Sequence, residues 1–438
     1  MPDAPAAMLL ACSGQPLRSS TAQPPCAEGV CTTAPSGRNS GTHSSAFALS
    51  TGSLPRMTVP KLRLFSLRHA TFGLLAGLLA LPLGSSPSWA LHMPKVAELP
   101  ASALQPFMQS NTQIWDAVLV LPDGRMLLEA PAWLGNTGPQ LFVRSTSGEL
   151  APWPDAQWNT PQGDADKRFI ALGGLTRTAD GHIWVLDSGV PNRKKPATAA
   201  PKLVEIDPTD NKVLRIVPVA PQALRPTSIL SGIAVHGSTA YVPDSGVAGL
   251  LVIDIPSATA KRFLDHHPDL IASRPIVTPE GPVRDSTGHY AAVDASMVAV
   301  SPDGSWLVLQ APGQYLSRVS TAIFTDPDIT PAAFEESVTQ WFKTPSLGGM
   351  TIDNDGTLYW SDITTSSILS YTTGRVPRRL ITDPRLQWPT TPGLDGHGHL
   401  FVSASQINHS TAFGAPAPSI RWPITIYELT LPTTPPQH

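Results

Sequence analysis

The sequence predicts an all-β protein, a six-bladed β-propeller, and three observations predict it. A short apolar run, a tight polar turn containing Gly and a second apolar run recur six times along the chain. The turn glycines, Gly124, Gly181, Gly237, Gly304, Gly356 and Gly398, stand 42 to 67 residues apart, room for four strands and their loops. The 47 prolines among 438 residues interrupt most of these intervals and leave little space for long helices. Repetition at such a period marks a repeat architecture, and hairpin followed by hairpin is one blade. A sandwich would show turn signals every 8–12 residues or so without this longer period.

The copies read VLVLPDGRMLLEA (118–130), GLTRTADGHIWVLD (174–187), GIAVHGSTAYVPD (232–244), MVAVSPDGSWLVLQ (297–310), GMTIDNDGTLYWSD (349–362) and GLDGHGHLFVSA (393–404). In each, Gly beside Asp, His or Ser supplies the positive φ of a tight hairpin turn. Gly398 is the least regular marker, because Gly396 competes with it. The flanking Val, Ile, Leu, Trp and Tyr suit buried strands. A second pair follows several hairpins: 202–207 with 212–217, 249–254 with 260–264, and 367–371 with 378–381. The closing blade is expected to borrow strands from both ends, with 424–431 the C-terminal contribution. A short helix is expected over 330–338. Two excursions, 188–201 and 265–292, are loops, where binding residues usually reside on a rigid scaffold.

Composition agrees with a large globular core: 41% hydrophobic residues, 14% charged and a net charge of −3. Near-neutral charge and the lack of a long basic run mean that nucleic acid is not expected as a partner. The first 90 residues differ. A basic stretch (61–69) runs into an uncharged apolar run (70–83) and then Ser88-Trp89-Ala90, with small residues at −3 and −1. This is the pattern of a Sec-type secretory signal peptide over 57–90, cleaved after Ala90, with Met57 as the start. The apolar run is shorter than a bilayer span, so no transmembrane segment is expected after cleavage. Residues 1–56 read as an over-called start or a disordered extension. The expected product, 91–438, is extracellular or periplasmic. Cys12, Cys26 and Cys31 all precede it, so it has no disulfide, thiolate or Cys-bound metal.

Six residues on from each turn glycine, the second strand should end at the mouth of the central channel. That offset gives Ala130, Asp187, Pro243 (with Asp244 one further), Gln310, Asp362 and Ala404. Asp294, ahead of the fourth inner strand, and Asn408, beyond the sixth hairpin, can join from either side. Their oxygens are expected to converge on a cation, an amine ligand or a hard ion such as Ca²⁺. The competing reading is that each Asp caps its own following loop, as in Asx turns. For a metal the candidates are Asp187, Asp244, Asp362 and Asn408. His266, His267, His397 and His399 read as solvated turn or loop residues, and Arg193-Lys194-Lys195 as a solvated loop. Trp184 and Trp360 are expected between blades. Tyr315, Trp341 and Phe342 stand between mouth lining and core packing, with core the default. No hydrolase, metalloprotease or nucleotide-binding pattern appears after residue 90.

Several stretches resemble the major royal jelly/yellow protein family: 184–189 (WVLDSG), 202–207 (KLVEID), 241–245 (YVPDS), 249–254 (GLLVID), 315–321 (YLSRVST), 348–359 (GGMTIDNDGTLY) and 386–389 (LQWP). They run in order over roughly 115–408. The resemblance implies a secreted six-bladed propeller. Insect members include proteins linked to dopachrome conversion and salivary proteins that bind biogenic amines in the channel. Bacterial members are often likened to gluconolactonases. It also implies an Asn near the last blade in the amine pocket, for which Asn408 is the matching position. The absence of cysteines after residue 90 departs from the insect pattern. The expected function is binding of a small cationic or aromatic ligand in the channel. A metal-dependent lactonase and a dopachrome-tautomerase-like isomerase are the alternatives. No cofactor is assigned beyond a possible divalent cation such as Ca²⁺, and no oligomeric state.

Overall fold

Runs of branched and aromatic residues between Gly-bearing turns build six antiparallel four-stranded sheets, the blades of a closed ring. The computed structural model describes residues 93–413 and 418–432. The boundaries expected near residues 56 and 90, the signal sequence and the three cysteines lie outside the described residues. The innermost strands of blades 1 to 6 are Ala117–Val120, Leu172–Arg177, Ala234–His236, Met297–Val300, Leu347–Ile352 and Gly393–Leu394. Each neighbours the next, and the sixth returns to the first. Thr391 N–H donates to Asp116 O, and Val118 N–H to Thr391 O.

Close approach at the axis needs small residues. A Cβ on Gly393 would lie 2.5 Å from the Val118 carbonyl oxygen, so a larger residue there would push blades 6 and 1 apart. Outward from the axis the blades pack apolar faces together. Trp184 joins the cluster between blades 2 and 3. Trp360 stacks with Phe342 and Tyr371 between blades 4 and 5, and Trp341 packs edge-on against Tyr371. Phe342 and Trp341 therefore belong to blade packing, while Tyr315 lies under the Arg274 guanidinium. The ring closes as expected from two ends: Leu104–Ser110 pairs with Ile424–Thr430, which pairs with His399–Ala404. The expected helix forms over Pro331–Glu336, capped by the Thr330 hydroxyl. Among the described residues no helix is long and apolar enough to cross a membrane.

The 265–292 excursion spans the face on which the inner strands begin. It carries a small hairpin, Val277–Thr278 with Gly281–Pro282. Val277 N–H donates to the Ser346 hydroxyl ahead of blade 5, and Ser286 N–H to Phe413 O in the connection between His399–Ala404 and Ile424–Thr430 of blade 6. Lys194 Nζ reaches the Ser286 hydroxyl at 2.6 Å from the loop between the second and third strands of blade 2. Ile276, Val283, Ala291 and Val293 join a core with Trp388 and Ile407. The excursion is thus a fixed roof across the mouth. His267 is part of it: it is buried, with its Nε2 3.1 Å from the Glu335 carbonyl oxygen, whereas His266 is exposed. The solvated reading of His267 is corrected accordingly.

Candidate functional site

The offset count places Asp187, Asp244, Gln310 and Asp362 where expected, each at the end of a second strand on the mouth face. Their side chains do something other than converge. Asp187 is 0% exposed and accepts from the amides of Ile170, Ala171 and Gly189 and from Lys202 Nζ at 2.7 Å. Asp244 accepts from the amides of Ile229, Gly246 and Val247, from the Ser228 hydroxyl, and from Arg262 Nη1 at 2.9 Å. Asp362 takes the Thr364 and Thr365 amides and the Thr365 hydroxyl, with Arg379 Nη1 3.6 Å away. Burial pushes its carboxyl up, and these donors pull it back.

Each of the three caps its loop and ties it to a cation on an outer strand of the same blade. The cap reading therefore describes them, and their oxygens are filled. The structure does not bring Asp187, Asp244 and Asp362 into one ligand set. Among the described residues the one cluster with metal-ligand spacing is Asp180, His182 and Glu205, away from the mouth at a hairpin turn. There the His182 ring holds Glu205 at 2.9 Å, which raises its pKa, and Arg215 pairs with the same carboxylate. Asp294 accepts from the amides of Ala248 and Ala272 and pins the base of the roof. Gln310 donates to the Gln314 carbonyl oxygen, with its own Oε1 buried and unpaired. Asn408 is turned to the roof, donating to Glu280 at 3.2 Å. His399 pairs with Asp395 at its turn.

A different acid pair occupies the start of blade 1. Asp116 precedes the inner strand, and its amide donates to the Glu129 carbonyl oxygen across the pair at 2.8 Å. Glu129 ends the second strand, Met126–Glu129, paired with Ala117. Its side chain is 1% exposed, and neither carboxylate oxygen has a hydrogen-bond partner. Burial, and then the Asp116 charge, push Glu129 well above the usual carboxylate range, with the facing Gly174 amide opposing. Burial pushes Asp116 up to about 7, against the pull of Arg193. Asp116 itself is partly exposed.

Arg193 comes from the loop that the sequence read as solvated, and this is the largest correction. The loop folds back over the mouth: Thr198 N–H donates to Gly189 O, and Asn192 turns the chain by accepting from the Lys194 amide. Arg193 Nη2 then donates to the Ser245 carbonyl and hydroxyl oxygens at 3.3 and 3.0 Å, on blade 3. Burial lowers the guanidinium to about 10, while Asp244, Asp294 and Asp116 work to raise it. Lys194 and Lys195 do remain exposed.

Glu129 was missed by one position. The second strand of blade 1 has four residues where that of blade 2 has five, so the count landed on Ala130. An acid closing the run Met-Leu-Leu-Glu was the available signal. Two open depressions, of about 420 Å³ beside Trp306 and Arg318 and about 210 Å³ beside Arg385 and Tyr427, lie on other parts of the ring. Neither includes a buried carboxyl without a partner, whereas the acid pair does, and such a group is the stronger mark of a ligand site.

The model of the family described as Major royal jelly protein matches residues 178–271. No curated protein matches the sequence. Among solved structures, virginiamycin B lyase from Staphylococcus aureus is 13% identical, covering 75% of this chain and 99% of its own, with a TM-score of 0.43. A gluconolactonase from Xanthomonas campestris is 10% identical over 75% of this chain and 89% of its own, with a TM-score of 0.45. Regucalcin from Agrobacterium tumefaciens is 10% identical over 74% and 94%, with a TM-score of 0.42. It is over residues 178–271, the stretch that holds Asp187, Arg193 and Asp244, that the chain matches the major royal jelly protein family.

Proposed function

We propose that the chain is an exported propeller that binds a small amine with an apolar body at the mouth of its ring, the ammonium lying against Asp116 and Glu129. One observation carries this reading: both oxygens of Glu129 are buried with no partner at hydrogen-bond distance, only the Gly174 amide facing them, beside a second acid. A buried polar group left unpaired costs about 1–3 kcal/mol, more when charged. An ammonium brings three N–H donors and one positive charge to that position. Export after Ala90 and action on a free small molecule belong to the same proposal.

Titration calorimetry with phenethylamine, tryptamine and dopamine tests it. Binding that weakens at least tenfold in Glu129→Gln is expected. No heat across the panel, or equal affinity in the variant, would contradict it.

The metal-dependent lactonase reading does not fit this donor set. Asp187, Asp244 and Asp362 are saturated by amides and cations, Asn408 faces Glu280, and Ca²⁺ requires roughly six to eight oxygens. Proton-transfer isomerisation is a second reading favoured by one observation, an Asp116 carboxyl held near neutrality. Turnover of dopachrome that disappears in Asp116→Asn would support it over binding alone.

A further inference from the structure

The mouth holds charges of both signs, and the basic one is built in. Gly189 lets the loop close, since its φ is +68° and a Cβ there would lie 2.1 Å from the Ala199 carbonyl oxygen. Ser245, which receives Arg193, is itself held by the Ser231 hydroxyl at 2.8 Å and donates to Ile229 O at 3.0 Å. The guanidinium is thus positioned from blade 2 by contacts on blade 3. Only Nη2 is engaged; among the described residues Nε and Nη1 have no partner. Those two groups flank Nη2 on either side and keep N–H donors, together with the positive charge, to offer a carboxylate oxygen.

The geometry points to a ligand that carries both charges, an α-amino acid or similar zwitterion, with its ammonium against Asp116 and Glu129 and its carboxylate on the unengaged N–H groups of Arg193. This rests on the amine site proposed above and narrows it. A plain amine leaves the Arg193 donors unused and meets its positive charge. An amino acid of the same body uses both poles.

Calorimetry with matched pairs, phenylalanine against phenethylamine and tryptophan against tryptamine, tests this on the wild type, Glu129→Gln, Arg193→Gln and Arg193→Lys. We expect each amino acid to bind the wild type at least about tenfold tighter than its amine. In Arg193→Gln the amino acid should lose that advantage, while the amine, freed of a like charge, binds a few-fold tighter. Arg193→Lys, which keeps the charge without the planar fork, should retain part of the preference. Amines that bind the wild type and weaken in Glu129→Gln, with amino acids no better and Arg193→Gln without effect on the pair, would overturn the zwitterion assignment and leave the amine site standing. Failure of both amine and amino acid to bind the wild type would overturn both. Far-ultraviolet circular dichroism and thermal melting of each variant separate lost binding from lost fold.

Discussion

Glu129 costs the fold something at every pH where it is ionised. Its pKa and that of Asp116 are raised on folding, so above about pH 4 the native state holds more protons than the unfolded chain. Stability from this pair is then full below pH 4 and falls as pH rises toward the folded values, which for Asp116 is about 7. Glu129→Gln removes one charge, so it should melt higher than wild type at pH 8, by about 1–3 kcal/mol, with the difference gone at pH 4. Thermal unfolding across pH 4–8 checks this. The acids that are paired behave oppositely. Lys202→Met would strand Asp187 at 0% exposure beside three amides, at a cost of about 3–5 kcal/mol. Asp187→Asn with Lys202→Met should recover much of it in denaturant unfolding. From sequence these two kinds of acid look alike, because Asp187 and Glu129 both end an apolar strand. What separates them is whether an outer-strand Lys or Arg lies across the blade, as Lys202 and Arg262 do for Asp187 and Asp244.

The hairpins were legible because a turn leaves a local mark, Gly with positive φ between alternating apolar runs. Partners that depend on the return path of a loop leave none. The segment 188–201 looked polar, basic and Pro-rich, and nothing in its composition says that Arg193 turns inward while Lys194 and Lys195 stay out. The roof was recognisable as a long insertion, yet its contacts join residues 65 to 130 positions apart, as Val277 to Ser346 and Glu280 to His409. Gly189 is the test of the folded-back loop. Gly189→Ala places a side chain at φ +68° against the Ala199 carbonyl, which should cost about 1–3 kcal/mol. It should also release the loop, seen as faster tryptic cleavage after Arg193 and Lys194 than in wild type. Unchanged melting and unchanged cleavage would mean the loop is not held there.

Around the whole ring, closure follows from pairing the two ends of the domain, Leu104–Ser110 against Ile424–Thr430, and it was expected from the count of six hairpins and a lone C-terminal strand. A ring built this way places the starts of all six inner strands on one face, so any acid near such a start is a candidate and symmetry alone cannot choose among them. Burial and satisfaction choose, and they select Asp116 and Glu129, with Arg193 opposite. The central claim is that an ammonium binds against Asp116 and Glu129, whose carboxyls burial holds above the usual range, and draws protons off them. Calorimetry of phenethylamine binding at pH 7, repeated in buffers of different ionisation enthalpy, reads this directly. Proton release on binding, smaller in Glu129→Gln than in the wild type, is the predicted result; binding with no proton release in the wild type would contradict it.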